Sequence, residues 1–144
     1  MKNLVLMLSL TLAIGSCSQN EENIQTDASV YGTWQLIKST ANNVDGSPSG
    51  WQQVENGYKI IFNKDFSYES EIHPSDCNGI SSSTYAVQNE PGNSTIETTI
   101  VCDNPNKTFK SKHSYSFEDA TYLILTPIEP SCPEGCAFMF KKVN

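Results

Sequence analysis

From residue 29 onward, apolar and polar residues alternate in short runs and do not recur at the three- and four-residue spacing of an amphipathic helix. The alternation is clearest across 108–117. There Phe109, Ser111, His113, Tyr115 and Phe117 share one face, and Lys110, Lys112, Ser114 and Ser116 share the other. Successive side chains of a strand point to opposite faces, so this segment predicts one buried and one wet face, as in an antiparallel sheet. Runs rich in Tyr, Phe, Ile, Val and Thr also occupy 33–38, 58–63, 66–72, 82–87, 94–102, 122–126 and 137–143. With 108–117 they predict eight strands and no helix.

The connections alternate in length. Short turns at 64–65, at Pro91-Gly92 and at 118–121 join strands two and three, four and five, and six and seven. The longer connections are 39–57, 73–81, 103–107 and 127–136. In an up-and-down meander the odd and even connections lie at opposite ends, which predicts one tightly turned end and one carrying the larger loops. The fold class is therefore all-β, an eight-stranded antiparallel up-and-down barrel, with a two-sheet sandwich as the alternative. Closing eight strands removes the sheet edges and leaves an interior that side chains fill or one small ligand occupies.

The N-terminus changes the picture of where this barrel works. Lys2, the apolar stretch 4–14 and the small residues Gly15 and Ser16 before Cys17 have the three regions of a secretory signal in order. The apolar run is shorter than the roughly 20 residues needed to span a bilayer, so 1–16 is expected to be cleaved. Ile14-Gly15-Ser16-Cys17 resembles the lipobox of bacterial lipoproteins, which implies lipid attachment at Cys17 and a membrane as partner. Residues 17–28 then form a polar tether, with Glu21, Glu22 and Asp27 resembling the surface-export signal of lipoproteins in Bacteroidota-like bacteria. The expected location is the outer membrane or the cell surface, and 29–144 is one domain.

Nine lysines less Lys2 leave eight against sixteen acidic residues, a formal charge of −8 for the mature chain, and the sequence holds no arginine. A chain without a basic stripe or guanidinium forks is not a nucleic-acid binder. Cys77, Cys102, Cys132 and Cys136 remain besides Cys17, an even number that in an exported domain reads as two disulfides. Antiparallel pairing about the turn at 90–91 sets Cys77 near Cys102, so Cys77–Cys102 and Cys132–Cys136 is the preferred connectivity of three. The Cys132–Cys136 spacing has no matching second pair, so no metal and no cofactor is expected.

Tyr31-Gly32-Thr33-Trp34-Gln35-Leu36 resembles the opening of the lipocalin fold, whose first strand carries a Gly-x-Trp motif. The last strand, Ala137-Phe138-Met139-Phe140-Lys141-Lys142, is similar to the basic strand end that in lipocalins lies across the motif tryptophan. Lipocalins usually place an arginine there; here Lys141 or Lys142 must serve, with a cation–π contact but without the planar fork. The chain resembles the compact lipocalin-like lipoproteins of Bacteroidota-like bacteria over essentially all of 29–144. That resemblance implies the barrel, with Gly32, Trp34, Lys141 and Lys142 as structural residues.

Trp34 is expected to plug the closed end. His113, in phase with Phe109, Tyr115 and Phe117, points inward, where it either meets a ligand or is satisfied by Ser111 or a tyrosine. His73, near Asp76, reads as solvent-exposed, and Glu69 and Glu71 as solubilising residues on the outer face opposite Phe66 and Tyr68. Gly46-Ser47-Pro48-Ser49-Gly50 is no nucleophile elbow, because its central residue is proline; no catalytic residues and no enzyme activity are expected. The expected function is binding of a small apolar or amphipathic ligand, with Tyr58, Ile60, Phe62, Tyr68, Tyr85, Ile96, His113 and Tyr115 as wall residues. The alternative is a solid barrel that contacts a protein partner or inhibits an exported enzyme through its mouth loops. Trp51 is either its contact residue or a lid over the mouth.

Overall fold

The computed structural model describes residues 29–40, 50–104, 107–133 and 135–143. The signal segment, Cys17, the tether and the Gly46–Ser49 part of the long loop lie outside the described residues. Nine strands carry the fold: β1 (Gly32–Thr40), β2 (Gln52–Gln53), β3 (Lys59–Phe62), β4 (Tyr68–Ser70), β5 (Ile80–Glu90), β6 (Asn93–Cys102), β7 (Thr108–Glu118), β8 (Tyr122–Glu129) and β9 (Ala137–Val143). They form one antiparallel sheet in the order β4-β3-β1-β9-β8-β7-β6-β5, with the two-residue β2 added beside β1. A single bridge, Ser67 to Thr84, joins the two outer members. The result is a nearly closed, up-and-down, lipocalin-like barrel of eight strands, and the two-sheet alternative is set aside.

The core follows the period of two. Trp34 and Leu36 of β1, Ile60 and Phe62 of β3, Tyr85 of β5, Ile96 of β6, Leu123 and Leu125 of β8 and Phe140 of β9 are buried together. Aromatic rings interlock within it: Phe62 meets Tyr85 edge-on at 4.9 Å between centroids and Tyr68 at 5.4 Å. At such spacings aromatic pairs add about 0.5–1.5 kcal/mol beyond area burial.

The tightly turned end is anchored by Trp34. Its indole is fully buried, Nε1 donates to the Val30 carbonyl at 2.7 Å, and the Lys142 ammonium lies 5.1 Å from the ring centroid. Lys142, opposite Trp34 in the β1–β9 register, is thus the lysine over the indole, and Lys141 pairs with Gln35. Gly32 has φ +124°, and a Cβ there would lie 2.9 Å from the Lys142 side chain. The glycine of the Gly-x-Trp motif is therefore required by its backbone conformation, while the flexible end of the lysine could move aside from a Cβ.

Four expectations about elements need correction. The third strand, expected at 66–72, shrinks to β4, because the Asp65 carboxylate accepts from the Ser67 amide (3.0 Å) and hydroxyl (2.7 Å) and tightens the turn. Phe66, expected inward, is pushed to φ 65° and is 54% exposed. The connection between the first two long strands is not wholly irregular, since β2 pairs with Lys38 and Ser39. Finally, β5 and β8 run to Glu90 and Glu129, beyond the expected 87 and 126, because each has a long β-partner: β5 pairs with β6 to Glu90–Asn93, and β8 with β7 to Glu129–Lys112.

Candidate functional site

The barrel interior holds a small cavity of about 80 Å³ and, towards the loop-bearing end, a larger cleft of about 350 Å³. The small cavity has an apolar wall of Ile60, Phe62, Ile96, Leu125, Phe138 and Phe140. Five polar side chains, Tyr58, Tyr68, Thr98, Ser111 and His113, converge on it from the approach to β3 and from β4, β6 and β7. Thr98 and Ser111, opposite each other in the β6–β7 register, share a hydrogen bond of 2.7 Å. Apolar side chains and hydrogen-bonding groups thus line it in similar measure, a more polar lining than that of most small-molecule sites.

Burial sets the electrostatics. It pushes the Tyr58 hydroxyl up to about 12, with the neighbouring Tyr68 hydroxyl adding to the effect. Burial also raises Tyr68, against a hydrogen bond with Ser70, and holds the His113 imidazole below its ordinary range. Loss of solvation disfavours the charged form of each group, so the cavity presents neutral donors and acceptors at pH 7.

Tyr68 lines the cleft as well, with Glu69, Ser70, His73, Ile80, Ser83 and Ile100. The cleft exists because β4 ends after three residues, whereas β5 runs for eleven. Among the described residues, the backbone contacts across the seam are the Ser67–Thr84 bridge and the bond from the Tyr85 amide to the Phe66 carbonyl (3.0 Å), and the Tyr85 side chain closes the same end against Asn63, Phe62 and Phe66. Above that point β4 and residues 80–83 stand apart.

The lip of the cleft, residues 71–79, is pinned away from the seam. Cys77 is bonded to Cys102 at the end of β6, with Cα atoms 5.3 Å apart. The Asn78 amide donates to Asn104 Oδ1 (3.1 Å), Asn104 Nδ2 donates to the Asp76 carbonyl (2.9 Å), and Ser81 Oγ donates to Asp103 Oδ1 (2.6 Å). Cys132 and Cys136 form the second disulfide. Both bridges have the expected connectivity and sit at the loop-bearing end.

Six of the eight expected wall residues, Tyr58, Ile60, Phe62, Tyr68, Ile96 and His113, line the small cavity. Tyr85 and Tyr115 do not. Both lie further along their strands, near the tightly turned end, where the Tyr85 hydroxyl donates to the Asn63 carbonyl (2.8 Å) and the Tyr115 hydroxyl donates to Asn89 Oδ1. Correct phase placed them inward, but depth in the barrel is set by register, which phase does not encode. Trp51 is 41% exposed and lines neither cavity, so it is no lid over either.

The residues that sequence reasoning missed fall into two groups. Thr98 and Ser111 are in phase with Ile96 and His113, and small polar residues on an otherwise apolar face were the signal available. Glu69 and His73, read as solvated, line the cleft; nothing local marks them, since the cleft arises from where β4 stops. Comparison with protein-family models, with curated proteins and with solved structures finds no match to this chain.

Proposed function

We propose that the protein is a lipid-anchored, extracytoplasmic lipocalin-like binding protein that holds a small apolar or amphipathic molecule within its barrel. The observation that carries this reading is the core cavity with six apolar and five polar side chains around it, sharing Tyr68 with an open cleft of about 350 Å³. A volume of this size lies within the range of small-molecule sites, roughly 300–1,000 Å³. In this reading Cys17 carries the lipid and residues 18–28 tether the barrel to the outer membrane or cell surface. Several acyl chains, each stabilised by about 0.8 kcal/mol per buried methylene, hold such a protein firmly.

Native mass spectrometry of the chain from Ser18, paired with solvent extraction, tests the binding reading. A bound molecule of defined mass supports it, and a clean apo mass together with failure to take up hydrophobic probes overturns it. Incorporation of labelled fatty acid, lost in Cys17→Ala together with membrane association, tests the anchor. A second reading, a barrel that contacts a protein partner, is favoured by one observation: Trp51 stands exposed at the loop-bearing end, and tryptophan is enriched at interaction hot spots.

A further inference from the structure

Between β4 and β5 the barrel wall is open, and Tyr68 lines both this cleft and the small cavity in the core. We infer that this seam is the entrance and head-group site for an amphiphile whose head is neutral or cationic, and that its apolar end passes Tyr68 into the core. The inference rests on the binding reading above and specifies its route and ligand class.

Three observations converge on it. First, the opening is built into the fold: residues 80–83 do not pair with β4, and the Cys77–Cys102 disulfide and the Asn78–Asn104 bond hold the lip on the β6 side. Secondly, the cleft is amphipathic. Ile80 and Ile100 supply an apolar floor, and Ser70, Ser83 and His73 supply hydrogen-bonding groups around it. Thirdly, its charge has one sign. Among the described residues lining the cleft and cavity, Glu69 is the carboxylate and there is no lysine. The Glu69 carboxylate accepts from Asn63 Nδ2 at 3.1 Å, a neutral partner, and Glu71 beyond it accepts from the Lys59 backbone amide at 2.9 Å.

A carboxylate or phosphate head drawn from water needs a compensating cation or a set of donors. Here it would meet Glu69 in a chain of formal charge −7 overall. An alcohol or amide needs only the serine and imidazole groups, and an ammonium gains from Glu69. The core cavity beyond Tyr68 is itself neutral, so selection by charge falls at the cleft.

The test is displacement of the neutral fluorescent probe N-phenyl-1-naphthylamine at pH 8 by decylamine, decanol and decanoate, three ligands that share one tail. Decylamine and decanol should bind about tenfold or more tightly than decanoate. Glu69→Gln should remove the advantage of decylamine over decanol and leave decanol unchanged. Ser83→Phe, and independently Ile100→Phe, fill the cleft and should slow probe entry by about tenfold or more; the far-UV spectrum and disulfide content of each variant establish that the barrel has formed.

If the wild-type protein binds neither the probe nor any of the three ligands, the binding reading falls and this inference with it. If it binds them but decanoate is equal or better, or if both folded cleft-filling variants take up the probe at the wild-type rate, the inference falls alone.

Discussion

The contact between Trp34 and Lys142 is the place where motif, topology and energy meet, and its strength can be measured. Trp34→Leu leaves the buried Val30 carbonyl without its 2.7 Å donor, a loss of about 1–3 kcal/mol. Replacing the ring by a smaller side chain adds about 1–2 kcal/mol of lost burial. The variant should therefore be destabilised by about 3–4 kcal/mol. With a urea m-value of about 1.5 kcal/mol/M, that moves the midpoint down by about 2 M. Lys142→Met keeps an apolar stem beside Gly32 and removes the charge 5.1 Å from the ring centroid. A partly exposed cation over a buried indole is worth about 1 kcal/mol, so the double mutant should be that much less destabilised than the two single variants predict together. Urea unfolding of all four proteins, followed by near-UV circular dichroism with disulfides intact, gives the coupling directly. A coupling within the about 0.5 kcal/mol scatter expected of independent sites would show that Lys142 lies over the ring without stabilising it. Lys142→Arg should keep the coupling, since a planar guanidinium stacks at least as well.

Other predictions concern the loops, the cavity and the backbone. Cys77→Ala/Cys102→Ala opens a loop with a sequence separation of 25, for which the chain-entropy relation gives a loss of about 3.5 kcal/mol; thermal unfolding of the variant against the wild-type protein reads it, and an unchanged transition would contradict it. Because burial lowers the folded-state pKa of His113, the unfolded chain binds more protons below the ordinary histidine range. Stability is then fully present above that range and falls as pH drops from 7 towards 5.5. His113→Gln should flatten this slope in urea midpoints, and an unaltered slope would assign it elsewhere. Gly57→Ala should be severely destabilising, by about 3 kcal/mol or more, because a Cβ there would overlap the Leu36 carbonyl oxygen. The Leu36 amide donates to the Tyr58 carbonyl at 3.0 Å, so the overlap would disrupt this pairing too, and a urea midpoint equal to that of the wild-type protein would contradict the prediction.

Much of the barrel was legible because it is a consequence of local rules. Alternation in 108–117 reports a half-buried strand whatever its neighbours, and the sequence of short and long connections reports which ends meet. The disulfide connectivity followed from the same argument, since antiparallel pairing about one turn brings Cys77 within a few residues of Cys102, which pairs with Ile80. Gly32, Trp34 and a lysine of the last strand were named through the resemblance to lipocalins, and the pairing of β1 with β9 brings Trp34 and Lys142 together.

The sequence by itself therefore determined the strands, their order, the inward faces and the chemical character of the lining. Tertiary structure decided how deep each inward residue sits. Tyr85 and Tyr115 obey the alternation yet lie near the closed end, whereas Thr98 and Ser111 come together at mid-barrel through the β6–β7 register. It also decided that the wall is open between β4 and β5. The turn at Asp65 and the early end of β4 leave the edges of β4 and β5 unpaired beside a loop that is stapled to Cys102, 25 residues further along the chain, and only their assembly makes the exposed residues Glu69 and His73 the lining of a cleft. Alternation is a property of neighbouring residues and survives in the linear chain; depth, register and a gap in a wall depend on where separate strands begin and end relative to one another, and exist only once the barrel has closed.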